Sequence, residues 1–176
     1  LEIEGNLIQP LHEESGKENP LITIVHGGPE AHFNNGWLTG YSNPGQTGAA
    51  EGYAVFYPNY RGSNGRGVKF SLTSQGDPAG KEFDDVVDGV DYLIASGLVD
   101  ATKVGVTGGS YGGYATGWLS TRYSDRFAAG VMFVGISNNV SKWGTTDIPK
   151  EEYLVHARKW VYEDYDFFLK RSPVYY

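Results

Sequence analysis

Cysteine is absent from the 176 residues, which excludes disulfides, thiolate catalysis and cysteine-bound zinc and leaves the redox compartment open. Positive charge is scarce. Fourteen lysines and arginines face 21 aspartates and glutamates, and the formal net charge of -7 argues against sequence-independent nucleic-acid binding, which rests on a basic face. No apolar run approaches the ~20 residues needed to cross a bilayer, so no membrane association is expected. There is no start methionine and no signal peptide; Leu1-Glu2-Ile3-Glu4-Gly5 already alternates like a strand, and the chain is expected to begin in mid-protein. What is present is 40% hydrophobic and 20% charged residues, a composition that buries a core. Residues 1–176 are read as one domain.

Two periodicities organise the chain. Leu1, Ile3 and Leu7 share one face of an initial strand that Pro10 and the polar residues 12–19 end, a plausible edge arm. Leu21-Ile22-Thr23-Ile24-Val25 is a continuous apolar, β-branched run of the kind covered on both faces in a parallel sheet. Tyr53-Ala54-Val55-Phe56-Tyr57 reads the same way, after a long polar and Gly-rich connection, and the loop of residues 63–80 carries no regular period. Phe83, Val86, Val87, Val90, Leu93 and Ile94 then recur at helical spacing, with Glu82, Asp84, Asp85, Asp88 and Asp91 assigned to the solvated face and Gly97 as the stop. A strand at residues 103–106, a small-residue helix to about residue 121 and a strand at 129–134 complete a βαβαβ pattern, which implies a mostly parallel sheet with ligands at its carboxyl ends. Residues 137–176 are aromatic and irregular, with a polar helix expected at 151–162.

Between the strand at 103–106 and the following helix stands Gly108-Gly109-Ser110-Tyr111-Gly112. In that context G-x-S-x-G predicts a nucleophile elbow: small flanking residues permit a sharp strand-to-helix reversal that lifts the Ser110 hydroxyl clear of the sheet. Gly makes up 25 residues, so the placement rather than the spacing carries the argument, and the bland alternative is a Gly-rich turn that tightens strand against helix. A phosphate loop does not fit, since no Lys-Ser/Thr follows at the required spacing. His26-Gly27-Gly28-Pro29 closes an earlier strand, where a hydrolase of this kind places half of its oxyanion hole. The tetrahedral intermediate of acyl transfer needs two N–H donors; the elbow supplies that of Tyr111, and Gly28 is the candidate for the other. His26 precedes the serine and is expected to tie loops together rather than act as base. The acidic helix could suggest a metal or glycosidase site, but its spacing follows an exposed face. Arg61 is expected to order its loop through a salt bridge more than to bind a substrate carboxylate. Asn139-Val140-Ser141 matches a glycosylation acceptor without secretory support.

Taken in order, His26-Gly27-Gly28-Pro29, Gly52-Tyr53-Ala54-Val55, Pro58-Asn59-Tyr60-Arg61-Gly62-Ser63-Asn64-Gly65 and Gly108-Gly109-Ser110-Tyr111-Gly112-Gly113-Tyr114 resemble the catalytic domain of the prolyl oligopeptidase family, in its acylaminoacyl peptidase and dipeptidyl peptidase branch. Arg126-Phe127-Ala128-Ala129, Asp147-Ile148-Pro149 and Arg171-Ser172-Pro173 extend the likeness to nearly the whole chain. The resemblance implies an α/β fold, the three-layer α/β-hydrolase sandwich with a mostly parallel sheet, here its N-terminal and central portion and incomplete at the C-terminus. It implies a serine peptidase acting on short peptides through an acyl-enzyme on Ser110, with Gly28 and Tyr111 as oxyanion donors, Val140 and Trp143 as substrate-binding residues (Trp143 as an aromatic wall of the S1 pocket, unless it is plain packing), and no cofactor or metal.

The chain departs from that pattern in one respect. A serine hydroxyl needs a histidine to take its proton and a carboxylate to orient the histidine. After Ser110 the only histidine is His156, and although Asp147 and His156 satisfy the bare order Ser, Asp, His, residues 151–162 read as a solvated helix. Acid and base are therefore expected outside this chain, and so is the family's N-terminal β-propeller. The alternatives are a carboxylesterase-like hydrolase using the same elbow, or a catalytically silent fragment or assembly subunit. A sheet lacking its last strands leaves an apolar edge, which a partner chain or self-association is expected to cover.

Overall fold

A computed structural model describes residues 1–12 and 16–176. Its sheet has five strands in the order β1-β3-β2-β4-β5, where β1 is Glu4–Ile8, β2 Asn19–Val25, β3 Ala54–Asn59, β4 Val99–Gly109 and β5 Ala129–Phe133. Only β1 runs antiparallel, on the edge beside β3, with Glu4 opposite Asn59 and Ile8 opposite Val55. The other pairings are parallel, so β2, β3, β4 and β5 deliver their carboxyl ends to one rim. Sequence patterning located all five strands. The first is shorter than its alternation suggests, leaving Leu1 exposed, whereas β4 starts four residues before the β-branched run.

Helices α3 (Lys81–Ala95) and α4 (Tyr111–Arg122) cover one face. Phe83, Val86, Val90 and Leu93 of α3 meet Tyr111, Tyr114, Ala115, Trp118 and Leu119 of α4 over Leu21, Val25, Val104 and Val106 of the central strands, and these fully or nearly buried side chains form the main core. At ~1.5–3 kcal/mol for each large apolar side chain removed from water, this layer dominates the folding energy. The opposite face carries a smaller cluster of Ile24, Val55 and Tyr57, covered by Phe33, Leu38 and the short helix α1 (Gly45–Ala50). That covering stops at β2. Beyond it an apolar groove of about 590 Å³ opens over β2, β4 and β5, lined by Ile22, Tyr53, Gly105, Thr107, Ala129 and Val131, and every residue of β5 is exposed. The third layer of the sandwich is thus only partly filled within this chain.

The remaining elements are short: α2 (Val68–Ser71), α5 (Asn139–Thr145), α6 (Pro149–Glu151), a π-helical turn at Glu152–Ala157, α7 (Tyr165–Lys170) and a 3₁₀ turn at Pro173–Tyr175. The continuous polar helix expected at residues 151–162 does not form. The chain tightens into the π turn, reverses at Arg158 with φ 58°, and buries Glu152, His156 and Ala157. Two N-caps absent from the sequence reading start the helices around it. Asn138 accepts from the N–H groups of Val140 and Ser141, and Asp164 from that of Phe167.

Candidate active site

The rim at the strand ends assembles two loops. After β4 the chain reverses at Ser110, which adopts φ 58° and ψ −119° at the N-cap of α4 and is exposed. A non-glycine residue at positive φ costs on the order of 1 kcal/mol and persists only where its surroundings hold it. Here the Ser110 N–H donates to Phe133 O at 3.2 Å, and Ser110 O accepts from Tyr114 N–H at 3.0 Å, anchoring the bend to β5 and to the first turn of α4. Gly112 allows α4 to approach β2: a Cβ there would lie 2.0 Å from Val25 O. On Gly108, the other flank of the motif, a Cβ would lie 2.4 Å from the same carbonyl.

The second loop, after β2, lies opposite. A methyl on Gly27 would sit 3.3 Å from Ser110 Cβ and 3.8 Å from Ser110 Oγ, so the serine faces the His26-Gly27-Gly28 turn across a narrow gap. Gly28 has φ 118°, a conformation closed to L side chains, and a Cβ there would meet Glu30 N at 2.5 Å. Among the described residues no acceptor takes the N–H of Gly28 or of Tyr111. His26 holds this turn in place, as its position in the chain led us to expect. Its Nδ1 lies 2.7 Å from Gly27 O and its Nε2 2.8 Å from Ser63 Oγ, while its ring stacks on Tyr60 at 4.2 Å. Tyr60 Oη donates to His26 O at 2.8 Å. Burial lowers the His26 pKa to about 4, so the ring is neutral over the physiological range.

Beneath the elbow lies a feature that the sequence reading placed wrongly. Glu82 and Asp85, assigned to the solvated face of α3, are buried. Asp85 accepts from Arg61 through Nε at 2.8 Å and Nη2 at 2.5 Å and from the Arg61 N–H at 2.9 Å, so Arg61 orders its loop. Glu82 has no exposed surface. Its Oε2 accepts from Gly80 N–H at 3.1 Å, and its Oε1 is hydrogen-bonded to Tyr111 Oη at 2.9 Å. A signal for it existed: Glu82 stands in the same i, i+4, i+8 row as Val86 and Val90, which is the buried stripe. Burial raises its pKa from 4.5 to about 8. The unfolded chain therefore releases this proton first. The stabilisation is complete below pH ~4.5 and is lost as pH rises to about 8. Glu82→Gln should leave stability at pH 4 unchanged and raise it by ~1–3 kcal/mol at pH 9, where the parent carries a buried charge. Parallel stability profiles for both proteins in denaturant titrations would contradict this.

His156 is not a solvated helix residue, and it does not join Ser110. It is buried, with Nδ1 3.1 Å from Glu152 Oε1, its Nε2 without a hydrogen-bond partner among the described residues, and its ring 5.3 Å from that of Tyr111. Glu152 also pairs with Lys142. Burial pushes the Glu152 carboxyl up, but the bonds to His156 and Lys142 outweigh it and hold its pKa below the ordinary value. Asp147 is exposed. Val140 and Trp143 lie on α5, both half-buried, with the Trp143 ring 5.2 Å from Trp160 and 5.6 Å from Phe168. Asn139 is buried. Its Nδ2 donates to Tyr114 Oη at 2.9 Å and Arg171 O at 2.7 Å, which removes it as a glycosylation acceptor in the folded chain.

Comparison with known proteins gives the family of the chain. The family model described as "Prolyl oligopeptidase family" matches residues 40–176. The chain belongs to the prolyl oligopeptidase family. Among curated relatives, it is 38% identical over 178 positions to the uncharacterized peptidase YuxL of Bacillus subtilis, covering 99% of this chain and 26% of the relative. It is 44% identical over 119 positions to dipeptidyl aminopeptidase BIII of Pseudoxanthomonas mexicana, covering 68% of this chain and 17% of the relative. The solved structure of an acylaminoacyl peptidase in complex with Z-Gly-Gly-Phe-chloromethyl ketone superimposes with a TM-score of 0.82 at 31% identity, over 100% of this chain and 28% of that one. The fold is that of the α/β-hydrolase peptidases. This prolyl oligopeptidase family chain spans about a quarter or less of the length of these relatives.

Proposed function

We propose that the protein is a serine peptidase that hydrolyses peptide bonds of short peptides through an acyl-enzyme on Ser110. The observation that carries this reading is the presentation of an exposed serine on a strained bend, across a narrow gap from the Gly27-Gly28 turn. Ser110 Oγ attacks the scissile carbonyl carbon and gives up its proton to a general base. The carbonyl oxygen becomes an oxyanion, held by the N–H groups of Gly28 and Tyr111, each worth on the order of 3 kcal/mol where water is excluded. Collapse breaks the C–N bond, the amine leaves with the proton, and water repeats the sequence to release the acid and restore Ser110. Val140 and Trp143 are assigned to the wall that receives the side chain on the acyl side. The relatives called dipeptidyl aminopeptidase and acylaminoacyl peptidase, the second bound to a tripeptide-like ketone, support short peptides as the substrate class.

No histidine among the described residues is hydrogen-bonded to Ser110. Under this reading the general base and its carboxylate come from sequence beyond this chain or from a partner, and residues 1–176 alone turn over negligibly. In the protein at its full natural length, turnover of an aminoacyl p-nitroanilide should accompany that of a p-nitrophenyl ester. Ester-only turnover would contradict the peptidase reading in favour of an esterase.

The same reading assigns the open groove over β2, β4 and β5 to a covering segment. Val131 and Val134 are each 70% exposed, and an unpaired parallel edge with apolar side chains pairs readily with another strand. The isolated 176-residue chain should self-associate. A monodisperse monomer by light scattering at tens of micromolar would contradict this.

A further inference from the structure

Glu82 is a fully buried carboxyl with no ion pair among the described residues, and the reaction outlined above makes no use of it. Burying such a group costs several kcal/mol unless its hydrogen bonds are satisfied. Its two partners from other residues are informative. Gly80 N–H fixes one oxygen at the start of α3, and the other oxygen meets the hydroxyl of Tyr111, the residue that follows the nucleophile. The Tyr111 ring is packed against Phe83 at 5.6 Å, Tyr114 at 5.4 Å and His156 at 5.3 Å, contacts that confine the ring without fixing its depth. Among the described residues its one directional tether is the 2.9 Å bond to Glu82. Tyr111 is also the first residue of α4, so any slide of the side chain along its own axis moves the backbone N–H at the elbow.

We infer that Glu82 is a positioning residue: through its hydrogen bond with the Tyr111 hydroxyl it sets the place of the Tyr111 N–H opposite the substrate carbonyl. The inference rests on the acyl-enzyme reading of Ser110. Hydrogen-bond donors aimed at a developing oxyanion lose effect when displaced by fractions of an ångström, whereas ground-state binding is less sensitive, so the loss should fall on kcat.

Burial makes ionisation of Glu82 unfavourable, although the N–H groups of Glu82 and Gly80 and the Tyr111 hydroxyl favour it. Asp77, in the turn before α3, repels it and is itself held by Arg171 at 2.6 Å. Arg61 lies on the β3 side but is committed to Asp85. Tyr60, Tyr111 and Tyr114 keep their protons, since burial raises all three well above 10. His156 and Glu152 stand behind Tyr111 and Tyr114 and pair with each other. As placed, the Tyr111 hydroxyl donates to Oε1; in the neutral acid it can instead rotate and accept the acid proton while the carbonyl of Glu82 serves Gly80 N–H. Gln offers the same two groups, with its amide toward Tyr111.

The test uses the protein at its full natural length with an aminoacyl p-nitroanilide. Glu82→Ala and Tyr111→Phe should each lower kcat by about tenfold with KM within about twofold, and Glu82→Gln should restore kcat to within about twofold of the parent at pH 7. Tyr111→Phe, which removes one oxygen and keeps the ring packing, carries the test should Glu82→Ala fail to fold. Unchanged kcat in Tyr111→Phe would overturn the inference, as would a Glu82→Gln enzyme as impaired as Glu82→Ala. Ser110→Ala distinguishes the two levels. Retained turnover in that variant rejects the acyl-enzyme reading itself, whereas its loss alongside an unimpaired Tyr111→Phe rejects the positioning role alone.

Discussion

Gly112→Ala is expected to destabilise the chain by about 3 kcal/mol, the upper end of what overpacking costs, and to lower Tm by roughly 6–12 °C for a domain of this size. The added Cβ would lie 2.0 Å from Val25 O, 2.8 Å from Val25 C and 3.1 Å from His26 C, all backbone atoms at the end of β2 that have no rotamer to escape into. Relief requires the first turn of α4 to move off the sheet. That movement carries Ser110 away from Gly27 and Gly28, so activity should fall together with stability. Thermal unfolding followed by circular dichroism reads the first effect directly. An unshifted Tm would mean that α4 does not sit as close to β2 as described.

Ser110→Ala should have the opposite signature, a loss of turnover on the order of 10⁶-fold with little change in stability. The nucleophile and the proton it transfers both vanish, and what remains is whatever the two N–H donors and substrate binding achieve on water alone. Stability should move by less than about 0.5 kcal/mol, because Ser110 is exposed and its side chain makes no hydrogen bond among the described residues. Matched kcat/KM and Tm measurements on the two variants separate the architecture of the elbow from its chemistry. Loss of folding in Ser110→Ala, or retention of turnover, would contradict the assignment.

The parts of the molecule legible in the sequence are those where one periodicity prevails over many residues. The run from Leu21 to Val25, the stripe Phe83-Val86-Val90-Leu93 and the glycines around Ser110 each state their backbone state and their burial together. The short helices were not legible, because three to seven residues form a helix only when tertiary contacts hold them. Gly45–Ala50 has no apolar stripe at all, and it forms where Gly48 and Ala49 are buried, Gly48 next to Val55 of β3. Polarity misled at Glu82 and Asp85. Counting them as solvated followed their charge, whereas the spacing of Glu82 relative to Val86 and Val90 already put it inside. His156 was misplaced for a related reason: Glu152 pairs with both Lys142 and His156 Nδ1 across a π turn that no local pattern announces. The site itself was recognisable because its demands are steric and local. The elbow needs Gly108 and Gly112 against Val25 O, and the facing turn needs Gly28 at positive φ. The coupling beneath it, from Tyr111 to Glu82, spans 29 residues and appears only once α3 and α4 are packed side by side.

The central claim is that Ser110 is the nucleophile, and covalent trapping tests it most directly. The protein at its full natural length should be treated with a fluorophosphonate, which phosphonylates an activated serine, and then digested and mapped by mass spectrometry. A single adduct on the peptide containing Ser110, forming in step with loss of p-nitroanilide turnover and absent from Ser110→Ala, is the predicted result. Complete inactivation with Ser110 unmodified, or an adduct on a different residue, would contradict the account.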